Sequence, residues 1–166
     1  MSTWVGALVR GGLLIGHDEE EGALLAVRVL GEERLSRLRA HFASLSAEAV
    51  ARERVGAIHA CIYMAQADRR MAEEEVELLM RVIARSDLGE TVKRQLVHAI
   101  EEPQSLEWIA DELTQPELRE LILALSWQLA KSDGRLDPEE QIAHRALAEA
   151  FGVDEARSIA IAGIVE

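Results

Sequence analysis

An all-α, single-domain bundle of about seven or eight helices is the fold this sequence predicts. Three observations predict it. Apolar residues make up 49% of the 166 positions but aromatic ones only 4%, and the chain leans on Ala, Leu and Glu, which favour helices over strands. Apolar side chains recur at helical spacing in stretch after stretch, and residues suited to helix caps and turns stand between the stretches. No Ser- or Pro-rich linker divides the chain, and its length suits one domain with a core of its own.

The first 45 residues form a segment apart, expected to pack on a bundle built from residues 46–166. Trp4 to Ile15 is apolar, interrupted by Arg10 and by glycines, and reads as a short helix or a strand. It is too short to span a membrane and lacks the basic start and small-residue cleavage site of an export signal. Asp18 to Glu21 is a charge cluster, after which Leu35, Leu38, Phe42 and Leu45 line up at helical spacing. Arg34, Arg37 and Arg39 fall on the opposite side, where a solvated face is expected.

From Ser46 the pattern sharpens. Val55, Ile58 and Ile62 mark one face of a helix over about 47–67, and Val76, Leu79, Val82 and Ile83 mark another over about 73–86. Gly89 and Pro103 bracket a third, and Ser105 is placed to cap SLEWIADEL. Pro116 opens a helix with the stripe Leu118, Leu121, Ile122, Leu125 and Leu129, which should stop near Asp133-Gly134. Asp137-Pro138 opens the next, with Ala143, Leu147, Ala150 and Phe151 inward, and Asp154 caps a final short helix.

The net charge of −12 and pI near 4.9 repel phosphate backbones and anionic lipid heads, so the sequence argues against nucleic acid and membrane insertion and favours cations or basic partners. A single cysteine, Cys61, excludes an internal disulfide and fits a reducing cytoplasm. It reads as a buried, inert thiol. The five histidines are scattered and form no metal-binding pair, while Trp108, Trp127, Met64, Met71 and Met80 read as core. No glycine-rich phosphate loop is present, and nothing announces a catalytic cleft, so an enzyme is not expected.

One internal repeat stands out. MAQADRRMAEEE (64–75) aligns with LAKSDGRLDPEE (129–140) at an offset of 65, with five of twelve positions identical. Each copy places an Asp at a turn between apolar helices and a Glu seven residues later: Asp68 with Glu75, and Asp133 with Glu140. In the second copy the acids suit helix capping, with Asp137 as N-cap, Pro138 at the first position and Glu140 reaching back to the cap amide. The first copy has Ala72 in place of the cap and Arg69 in place of the glycine, yet keeps its Asp/Glu pair. That retention favours a use for the pair itself. Carboxylates and turn carbonyls are hard oxygen donors of the kind calcium takes, roughly six to eight at a time, and magnesium takes more strictly. The pattern is not an EF-hand, because Pro138 stands where that loop needs Gly and His144 where it needs Glu.

LAKSDGRLDPEE followed by ALAEAFGVDEA, with the weaker YMAQADRRMAEEE upstream, resembles the tellurite-resistance TerB-like family of small all-helical bacterial proteins, over about residues 50–160. The resemblance implies a bundle whose acidic turns bind a divalent cation, calcium in preference to magnesium. Carried over position by position, Asp133 and Glu140 match the stronger motif and Asp68 and Glu75 are their counterparts. Asp137, Glu139 and Glu74 take supporting or capping roles. It further implies a part in stress response or tellurite resistance, through complexes with other proteins and near the inner membrane surface. Arg69 departs from the family's glycine and weakens the first site. The competing reading is a metal-free helical adaptor whose acids are caps.

Overall fold

The computed structural model describes residues 20–66, 73–84, 86, 88–131 and 138–165, with side chains left aside at a few of them, Glu75 and Leu129 included. Eight helices and no strand occur among the described residues. They are α1 (Glu20–Ser44), α2 (Ala47–Ala65), α3 (Glu73–Ala84), α4 (Glu90–Ala99), α5 (Leu106–Glu112), α6 (Pro116–Lys131), α7 (Pro138–Ala150) and α8 (Glu155–Ile164). The all-α expectation is met, and the helix starts anticipated at Ser46, Ser105, Pro116, Pro138 and Asp154 are found within a residue. The apolar run of residues 4–16 lies outside the described residues.

Local chemistry sets the ends. Ser46 Oγ accepts from the Ala49 amide at 3.2 Å, Ser105 Oγ from the Trp108 amide at 3.2 Å, and the Asp154 carboxylate from the Arg157 amide at 2.7 Å. At the end of α7, Gly152 turns left-handed at φ 70°. Its amide reaches the Glu149 carbonyl at 3.0 Å, and that of Val153 reaches Ala148 at 2.9 Å, a Schellman closure.

Two helices form the centre. α2 is buried without a break from Gly56 to Ile62, more than the single inward face that Val55, Ile58 and Ile62 suggest. Small side chains explain this: Gly56, Ala57, Ala60 and Cys61 let neighbours close in all round, and a Cβ on Gly56 would lie 3.0 Å from that of Glu112 in α5. α6 is likewise buried from Glu120 to Trp127 and packs most extensively on α2. Cys61 is only 1% exposed, and burial pushes its thiol well above the usual range. Met64 fills the core as expected, but Met80, on the outer side of α3, is 42% exposed.

Polar groups inside the bundle tie helix ends together. Glu53 of α2 accepts from the amide and the hydroxyl of Thr114, just ahead of α6. Arg119 donates to the carbonyls of Ala110 at 2.7 Å, Leu113 at 2.6 Å and Phe151 at 3.1 Å, so one guanidinium serves the ends of both α5 and α7.

α1 packs on α6 and α8. It bends at Gly31, where φ 79° and ψ 159° fall in a region open almost only to glycine. Leu25, Ala26, Val29 and Leu30 are buried before the bend and Leu35, Leu38 and Phe42 after it. Arg37 and Arg39 are exposed as expected, but Arg34 turns inward to pair with Glu120, which also pairs with Arg157 of α8. Arg157 reaches the Val29 carbonyl at 2.7 Å beside the bend, and Arg28 reaches the Ile164 carbonyl at 2.7 Å.

Candidate functional site

The two acidic motifs fall at equivalent places, between α2 and α3 and between α6 and α7. Asp68, Asp133 and Asp137 lie outside the described residues, as does the side chain of Glu75, so the convergence expected of these carboxylates lies outside them as well. Among the described residues no group of three or more His, Cys, Asp or Glu side chains is arranged to hold a metal ion. Glu74 and Glu139 are exposed in the first turns of α3 and α7.

Glu140 differs from its neighbour. It is 5% exposed, at the third position of α7, where the positive end of the helix dipole favours a carboxylate. One turn further, His144 is 1% exposed, and its ring lies 3.8 Å from that of Trp127, centroid to centroid, tilted by 42°. The donors that the repeat offers are carboxylates, which suit a hard divalent cation and not a soft one.

Trp127 and His144 also line a cleft of about 590 Å³ between α7 and α8. The sequence marks neither residue as a site: Trp127 reads as core and His144 as one scattered histidine. The available signal is the spacing of Glu140 and His144, which puts both on the inward face of one helix.

A second, more open cleft of about 720 Å³ separates α2, α4 and α5. His59 forms part of its wall, edge-on to Trp108 with ring centroids 4.9 Å apart. Burial lowers the His59 pKa to about 4 against a smaller opposing pull from Glu112, and its Nδ1 has no hydrogen-bond partner. Arg94, His98 and Glu102 line the same cleft from α4 and the turn after it, and His98 and Glu102 lie 3.4 Å apart on the exposed rim.

Among the described residues these features define an all-helical module, with the two acidic motifs falling in sequence between α2 and α3 and between α6 and α7. A family model described as Tellurite resistance protein TerB matches residues 54–162, a span that contains both units, and the chain belongs to that family. The match begins within α2, so α1 precedes it. No curated protein and no solved structure matches the chain. Among the described residues, no helix is long and apolar enough to cross a membrane.

Proposed function

We propose that this TerB-family protein is a cytoplasmic, non-enzymatic helical module that binds a hard divalent cation, calcium in preference to magnesium, and acts in stress response or tellurite resistance through protein partners. Asp133 and Glu140 would supply the principal carboxylates, with Asp68 and Glu75 as a weaker second pair. Asp137, Glu139 and Glu74 would support or cap. Partner complexes at the inner membrane surface would form by protein contact, without insertion.

The supporting observation is the contrast between Glu140 and Glu139. The repeat singles out Glu140 by its spacing from Asp133, and Glu140 is the member of the adjacent pair that is buried. A second reading rests on the same residue: the third position of α7, after Pro138, is also where a capping-box glutamate sits.

Calorimetric titration with calcium and with magnesium, together with thermal melting, on the wild type and on Asp133→Ala separates the two. Heat of binding and a melting temperature that rises with the ion, both lost in the variant, are expected if the second unit binds the cation. No heat and no shift would reject the metal and leave the capping adaptor.

A further inference from the structure

We infer that the cleft between α7 and α8 is a docking groove for a partner's amphipathic helix, one whose apolar stripe is flanked by lysine or arginine. Its walls have the periodicity for this. α7 contributes positions 141, 144, 145, 148 and 149, and α8 contributes 155, 158, 159, 162 and 163. Both sets follow i, i+3, i+4, i+7, i+8, so each helix presents a single face to the same space. Trp127, Ala148 and Ala162 give the groove apolar wall, and a Cβ at Gly163 would meet nothing within 4 Å. The volume of about 590 Å³ lies in the range of clefts that take a ligand.

Large apolar side chains are left in solvent beside it. Ile159, on the wall, and Ile142, on the adjoining face of α7, are each 66% exposed. The charge around the groove selects the occupant. Glu149 and Glu155 stand exposed on the lining, Arg145 is the one cation among its described residues, and the whole chain carries −12. A basic helix meets this rim favourably, whereas a second copy of the chain would bring like charge against like. Helix-in-groove recognition reads an apolar stripe at the spacing the walls supply. The inference stands apart from the cation reading, since none of these residues belongs to the Asp/Glu pairs.

The test uses the full chain and a synthetic helical peptide of about 18 residues, with Leu at i, i+3, i+4, i+7 and Lys elsewhere. Binding is followed by calorimetry and by the Trp127 indole resonance. Ile159→Asp and Gly163→Leu are the variants, both at exposed positions that leave the core untouched. Expected are saturable binding by the wild type and a loss of at least about tenfold in affinity in each variant. Ile159→Asp is the sharper variant, because diffuse attraction between a basic peptide and an acidic protein would increase with the added charge. Equal binding of a scrambled peptide, or of the same stripe with Glu for Lys, would overturn the inference. So would undiminished binding by both variants, or self-association of the wild type that Gly163→Leu abolishes.

Discussion

Arg34 of α1 pairs with Glu120 of α6 across 86 positions of sequence, joining a helix that precedes the matched family region to the centre of that region. Arg157 of α8 completes the arrangement from the other side. Burial pushes the Glu120 carboxyl up, but the hydrogen bonds and charges of the two arginines outweigh it and hold the group below its ordinary value. Glu120→Gln should cost roughly 2–3 kcal/mol at neutral pH, because two partly buried cations lose their common partner. A carboxylate with a lowered folded pKa contributes stability above its unfolded pKa and loses it as pH falls through the folded one. Wild type and variant should therefore converge in acid, below the ordinary carboxylate range, when urea unfolding is followed against pH.

Gly31 sets the bend that lets α1 follow the bundle, and although a Cβ there would meet nothing within 4 Å, a φ of 79° with ψ of 159° strains any other residue's own backbone. Gly31→Ala should destabilise by about 1–3 kcal/mol. Hydrogen exchange is the informative readout. Amides on both sides of the bend should lose protection, and those of α6 much less, if the strain is relieved by lifting α1.

His59 should make the protein acid-sensitive. Its pKa falls to about 4 in the fold, because burial disfavours the charged ring, so the unfolded chain binds the extra proton first as pH drops. Stability should decline from about pH 6.5 down to about pH 4, by up to about 3 kcal/mol in total. His59→Phe keeps a ring against Trp108 and removes the unpartnered Nδ1. Its stability curve should be flatter over that window in denaturant titrations.

Glu140 and Glu139 offer an internal control for cation binding. Under the proposed function, Glu140→Gln lowers calcium affinity by at least about tenfold, while Glu139→Gln, at an exposed position, changes it little. Equal affinities for the two variants in a calorimetric titration would remove Glu140 from the ligand set.

The parts of the fold legible in the sequence were those governed by neighbours in the chain. Ser105 and Asp154 cap because a side-chain oxygen reaches an amide three residues on, a relationship that spacing alone reveals. Leu35, Leu38 and Phe42 were legible for the same reason, through their shared helical face. Arg34 was not, since its inward turn depends on a carboxylate in α6 and an arginine in α8, and periodicity carries no record of distant charge. The all-round burial of α2 follows from small residues admitting neighbours on every side, which a search for one apolar face misses. Met80 reads as core from its type, and its exposure shows that a flexible apolar side chain does not fix its own environment. In the candidate site, the repeat distinguished Glu140 from Glu139, but the α7–α8 cleft arises from how two helices meet and has no linear signature.

The seclusion of the one thiol in the chain has a practical corollary. Cys61 sits in the middle of α2 at 1% exposure, and it stays protonated far above neutrality. In the native state it should be silent to maleimides and other thiol reagents, so a cysteine introduced on the outer face of any helix would be labelled alone, without first removing the natural one. When the fold opens, the same atom becomes reactive. Its modification rate is then a built-in clock for the rarest opening events at the centre of the bundle, read by mass without adding a probe.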